Sequence, residues 1–114
     1  MSVKLSTRQV GDVSVVDVAG RITLGEGSSA LRESLRDMVG KNHKKILLNL
    51  GDVSYIDSSG IGELVSGFTT VTNSGGQLKL LNLNKRVKDL LQITKLYTVF
   101  DVHDDEAGAI RSFV

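Results

Sequence analysis

The sequence contains no cysteine, which excludes disulfide frameworks, thiol catalysis and thiolate metal sites together. It has no proline, so its turns must rest on 12 glycines and on Asn, Asp and Ser. Tryptophan is absent and aromatic residues make up only 4% of the chain. Tyr55, Phe68, Tyr97, Phe100 and Phe113 are available for packing, but there is little flat surface for stacking bases or sugars. No apolar run is long enough to cross a bilayer; Ile46-Leu47-Leu48 and residues 78–83, broken by Lys79 and Asn82, fall far short. A formal net charge of +1 supplies no electrostatic footprint for nucleic acid or membrane. Met1-Ser2-Val3-Lys4 leads straight into a strand-like pattern, so no secretory signal is expected ahead of the fold.

What is there is ordinary globular composition, 40% hydrophobic and 24% charged over 114 residues. That length suits one core, so residues 1–114 read as a single small, soluble, cytoplasmic domain. Residues 3–9 and 13–19 are β-like runs split by Gly11-Asp12, which predicts a hairpin ended by Gly20. Residues 21–27 read as a loop, with Ser28 or Ser29 capping a helix whose apolar positions are Leu31, Leu35, Met38 and Val39. Gly40 closes it as a left-handed cap. Residues 45–50 form a nearly continuous apolar run, the mark of a strand covered on both faces, and 51–54 read as a turn.

Ser58 or Ser59 then opens a helix with the stripe Ile61, Leu64, Val65, Phe68 and Val71, ended by Asn73-Ser74-Gly75-Gly76. Residues 77–83 predict a strand, 85–94 a third helix, 97–102 a last strand and 104–113 a terminal helix. The order ββαβαβαβα predicts an α/β domain, a mixed sheet of about five strands with about four helices packed on it.

Chemistry concentrates at Tyr55-Ile56-Asp57-Ser58-Ser59-Gly60-Ile61-Gly62, where strand and turn deliver the chain into a helix N-terminus. Asp57 and Ser58 suit caps, Gly60 and Gly62 permit close approach, and a phosphate on Ser58 would meet the positive end of the helix dipole, opposed by Asp57. A hydrolase elbow needs glycine two residues either side of the serine; Ile56 holds the first of those places. The only bases available to it, His43 and His103, read as solvated surface histidines. Gly60-Ile61-Gly62 lacks the third glycine of a dinucleotide fingerprint, and no P-loop is present. His103-Asp104-Asp105-Glu106 reads as a helix-start charge cluster, not a metal site, and Lys41–Lys45 with Lys85-Arg86-Lys88 as solvated basic faces.

The run from Asn49 through Asp57-Ser58-Ser59-Gly60-Ile61-Gly62 closely resembles the STAS domain of bacterial anti-sigma factor antagonists. The likeness extends to residues 15–22, 75–80 and 87–94. The resemblance implies a non-enzymatic switch without cofactor or metal. It binds an anti-sigma factor that is also a serine kinase of the histidine-kinase-like ATPase type, and so releases a sigma factor. Phosphorylation of Ser58 ejects it and a serine phosphatase resets it, with no direct contact to nucleic acid or membrane. Asp57, Ser58, Ser59, Gly60 and Ile61 would then frame the partner-facing surface. Many family members carry an acid in the loop where this chain has Thr23, and Glu26 is the candidate to fill that role. The family's proline before the third helix is replaced here by Asn84 or Lys85, and its Thr-Gly-Leu by Thr94-Lys95-Leu96. The alternatives are an accessory domain of a transporter or of a stress-sensing assembly, or a small serine hydrolase.

Overall fold

Val3–Val10 (β1) and Val13–Ile22 (β2) pair antiparallel around Gly11, whose φ of 62° suits the tight reversal. The computed structural model describes residues 3–113. Met1 and Ser2, read above as leading into the first strand, and Val114 lie outside them. From β2 onward the chain alternates helix and parallel strand: Glu26–Gly40 (α1), Lys45–Ile56 (β3), Ser58–Asn73 (α2), Gln77–Leu81 (β4), Lys85–Ile93 (α3), Asp101–His103 (β5) and Glu106–Ser112 (α4). The five strands lie side by side in chain order, antiparallel only between β1 and β2. This is the predicted α/β domain in the predicted order.

Neighbouring parallel strands joined by crossovers of one hand put successive helices on one face. Accordingly α1, α2 and α3 cover one side, their Leu31, Leu35, Leu64, Val71, Val87 and Leu91 packing on Val16, Val18, Leu48, Leu50, Leu78 and Leu80. Helix α4 takes the other side, setting Ala109 and Phe113 against Val13, Val15, Leu47 and Leu81. Ile46, Leu47 and Leu48 are therefore fully buried on both faces, which is why their run carries no polar alternation.

Several boundaries differ from expectation. Strand β2 continues through Gly20 to Ile22, and β3 continues through residues 51–54, read from sequence as a turn. The cause is pairing. Strand β4 leaves β3 at Asn49, and beyond it the exposed Gly51-Asp52 segment stays extended because residues 19–22 of β2 accompany it as far as Ile56. The Asn49 side chain marks the fork, its Oδ1 accepting from the Gly51 amide at 3.2 Å and from Asn82 Nδ2 at 3.1 Å. The last strand is only Asp101–His103, and residues 97–99 turn instead.

Helix starts and stops correct the sequence in detail. Gly25, with φ 98°, precedes α1 without a side-chain cap; Ser28 is buried within the first turn and its amide donates to the Thr23 carbonyl at 3.0 Å. Three helices end in the same paired bonds, from the left-handed residue and the one after it back to the last turn. In α1 the left-handed residue is Asn42 (φ 65°) and not Gly40; in α2 it is Gly75 (φ 87°). In α3 it is Lys95 (φ 63°), whose amide donates to Gln92 O while that of Leu96 donates to Leu91 O. A lysine there carries a steric cost that glycine does not. Lys95→Gly is expected to raise stability by about 1 kcal/mol, measured by urea unfolding.

On the α4 side of the sheet, Arg8 joins three elements. Its guanidinium donates to Asp17 at 2.7 and 3.2 Å and to Glu106 at 2.9 and 2.5 Å. Asp17 also accepts from Asn49 at 2.8 Å. Arg8 holds both carboxyls below their ordinary values, 3.8 for Asp17 and 4.5 for Glu106. A carboxyl with a depressed folded pKa takes its proton more readily in the unfolded chain. Its contribution is thus complete above the ordinary value and lost as pH falls through the folded one. Arg8→Met should flatten the fall in unfolding free energy between about pH 5 and pH 2, followed by denaturant titration at fixed pH values.

Candidate functional site

The two-stranded extension of β2 and β3 ends where the serine pair begins. Asp57, extended at φ −103° and ψ −175°, caps α2 by accepting the Gly60 amide on Oδ1 at 3.0 Å. The same oxygen accepts the Ser59 hydroxyl at 2.7 Å. Oδ2 accepts the Leu24 amide at 3.2 Å, so one carboxylate binds the β2–α1 loop to the start of α2. The Ser59 hydroxyl first, then the Gly60 and Leu24 amides, hold the Asp57 carboxyl below its ordinary range against a smaller desolvation effect. It is an anion at neutral pH.

The adjacent serines thereby part company. Ser59 is half-buried and its hydroxyl is committed to Asp57. Ser58 is exposed on the first turn, and its hydroxyl has no protein partner among the described residues. Periodicity does not distinguish the two; the cap does.

Gly60 and Ile61, also singled out from sequence, are buried and support the turn from beneath. A Cβ on Gly60 would stand 2.5 Å from the Ile22 carbonyl oxygen and 2.6 Å from Ile56 Cγ1, so only glycine lets α2 begin this close to β2. Gly27 plays the same part for α1, its missing Cβ leaving room for the Arg21 carbonyl oxygen 2.6 Å away. Gly62, expected to act with Gly60, faces open space. Thr23 is half-buried in the loop tied to Asp57, and Glu26 lies exposed on the first turn of α1.

The histidines are engaged elsewhere. His43 Nδ1 lies 3.0 Å from the Oγ of buried Ser14, and His103 Nε2 lies 3.0 Å from Asp101. Both are half-buried, not simply solvated, and neither is bonded to Ser58. Ser58 therefore has no imidazole base, and the arrangement is not that of a hydrolase.

Beside Ser58 opens a groove of about 760 Å³, lined by Tyr55, Ile56 and Asp57 on one wall and by Lys85, Arg86, Asp89, Leu90 and Ile93 of α3 on the other. Asn84 fixes the second wall: its Oδ1 caps α3 through the Val87 amide at 2.9 Å, and its Nδ2 donates to the Val53 carbonyl at 2.6 Å. Two large apolar side chains rim the site in the open, Leu24 at 80% and Ile93 at 77% exposure. Solvent-facing aliphatics beside a polar hydroxyl suit a protein partner. Sequence reading missed the α3 wall. Its one visible signal was Asn84, a cap residue opening a helix.

A model of the STAS domain matches residues 4–109. The anti-sigma-B factor antagonist of Bacillus subtilis (strain 168) is 32% identical over 111 residues, 97% of this chain and 100% of that protein. Two solved structures share the fold. An anti-sigma factor antagonist from Mycobacterium paratuberculosis has a TM-score of 0.87 at 19% identity, over 98% of this chain and 94% of that one. The Bacillus cell fate determinant SpoIIAA, in its phosphorylated form, has a TM-score of 0.74 at 19% identity, over 95% and 97%.

Substitutions should separate the roles of these residues, read by urea unfolding. Ser58→Ala is expected to stay within about 0.5 kcal/mol of the parent, because its hydroxyl bonds to nothing in the fold. Ser59→Ala should lose about 1 kcal/mol and Asp57→Ala about 1–2. Gly60→Ala should lose about 1–3 kcal/mol through overpacking.

Proposed function

The chain belongs to the STAS domain family, and on that premise we propose that it is an anti-sigma factor antagonist, a binding switch and not an enzyme. In its unmodified form it binds an anti-sigma factor that is also a serine kinase of the histidine-kinase-like ATPase type, and so frees a sigma factor. The kinase transfers the γ-phosphoryl of ATP to Ser58. A bond forms from Ser58 Oγ to phosphorus, the bond to the departing ADP breaks, and the hydroxyl proton leaves to the kinase. A serine phosphatase restores the hydroxyl. The reading locates this cycle in the cytoplasm, and no helix among the described residues is long and apolar enough to cross a membrane.

The observation that carries this reading is the contrast between the serines. Ser58 is exposed and unengaged, whereas Ser59 is tied to the cap. Leu24 and Ile93 give the partner apolar contacts on either side, while Asp57 and Ser59 hold the acceptor in place. Glu26, on the first turn of α1, supplies the acid that the preceding loop lacks at Thr23.

The chemistry of ejection is electrostatic. Phosphate adds about −1.5 to −2 charges at neutral pH. At a helix N-terminus the fold tolerates it, but buried in an interface without a matching cation it costs about 3–5 kcal/mol, roughly 100- to 4000-fold in affinity.

Incubation with the kinase and ATP, followed by peptide mapping in a mass spectrometer, should place the phosphate on Ser58, with Ser59→Ala retaining most of the incorporation. Ser58→Ala should bind the kinase constitutively in calorimetric titration, and Ser58→Asp weakly, while both melt near the parent temperature. Phosphate on Ser59 alone, or unfolding of Ser58→Asp, would overturn the reading.

A further inference from the structure

Arg21 and Arg86 are both exposed, and neither has a carboxylate partner among the described residues. Both instead lie against one ring: the guanidinium carbon of Arg21 is 4.9 Å from the centroid of Tyr55, and that of Arg86 is 5.8 Å. The ring's negative face attracts each cation, but the two cations repel one another, and no anion among the described residues is paired with either. The other cation on this wall, Lys85, is already committed to Asp89 at 3.0 Å. Arg86 thus brings an uncommitted, fork-shaped donor set to the groove wall facing Ser58, and Ser58 itself stands three residues along the chain from the Tyr55 ring that holds Arg86.

We propose that Arg86, held against Tyr55 with Arg21 behind it, is the internal receptor for a phosphate on Ser58. This rests on Ser58 being the modified residue and adds a second consequence of modification. A phosphoserine dianion provides the counter-charge the two guanidiniums lack, and guanidinium matches phosphate oxygens in bidentate geometry. Pairing across the groove draws α3 and the serine turn together over Ile56 and Leu90. Phosphorylation then closes a docking surface as well as charging it. The neutral serine cannot do this, so the groove stands open in the binding-competent state.

The titratable groups lining the groove are Asp57 on the cap, Tyr55 on β3, and Lys85, Arg86 and Asp89 on α3, with Arg21 of β2 against the Tyr55 ring. The acids raise the second ionisation of the phosphate and the cations lower it, so the role of Arg86 is read by comparison between variants. Phosphoserine incorporated at position 58 during translation makes the test independent of any kinase. Phosphorus NMR titration of this protein is compared with its Arg86→Gln and Lys88→Gln forms. Lys88 lies on the same helix but does not line the groove, so its loss removes equal charge elsewhere. The midpoint is expected to rise by about half a pH unit or more in Arg86→Gln and to move little in Lys88→Gln. Phosphorylation should also slow amide exchange in α3 of the parent but not of Arg86→Gln. Equal midpoints in the parent and Arg86→Gln, or equal shifts in both variants, would overturn the proposal and leave the switch reading standing. A kinase that never modifies Ser58 would overturn the switch reading, whatever the titration gives.

Discussion

One carboxylate organises this end of the molecule. Asp57 accepts the amide that starts α2, the hydroxyl of Ser59 and the amide of Leu24, so helix, serine and neighbouring loop share a single anchor. The contact depends on a prior steric condition, the absence of a side chain at Gly60, which allows the helix to begin against the Ile22 carbonyl. Given those two conditions, the exposure of Ser58 follows without any further device. An acid is the suitable residue because it accepts several donors at once and stays ionised while doing so.

The elements were legible where hydrophobic periodicity was strong, and their ends were not. The run 45–50 and the stripe of α2 announced a doubly covered strand and a helix buried on one face, as found. Residues 51–54 misled because a strand half that pairs on one side only keeps polar residues and glycine, which read locally as a turn. Gly40 misled because the left-handed position is set by where the last helical bond falls, and that put Asn42 there. Within the site, Asp57 and the serine pair were visible as a capping pattern. The choice between the serines was not, because it turns on a hydroxyl rotating back to a carboxylate two residues earlier. The α3 wall was invisible for another reason: the residues facing Ser58 lie about thirty positions away and meet it only through the sheet. Lys85 and Arg86 read as part of a solvated basic face, and their relation to Tyr55 and Ser58 is a product of tertiary structure.

The two faces of the sheet divide the work. The face under α1, α2 and α3 is apolar and supports the serine turn and groove. The other carries a polar ladder from Arg8 through Asp17 and Asn49 to Asn82, with Glu106 drawing α4 onto its edge. These bonds pair every charge they involve, and no buried side-chain polar atom among the described residues lacks a partner. The site end is the opposite case, with charges and aliphatics left free for something outside the fold.

The fork at Asn49 divides β3 into a half held from both sides and a half held from one. Sheet hydrogen bonds on both edges make opening of the first half a global event, while the second can part from β2 without disturbing β4. The serine turn is thus mounted on a semi-independent cantilever braced from α3 by the Asn84 amide and by Arg86 against Tyr55. Movement of this half is bounded by Val53 and Ile56, which keep its inner face in the hydrophobic core, so the serine turn can give only at its exposed edge.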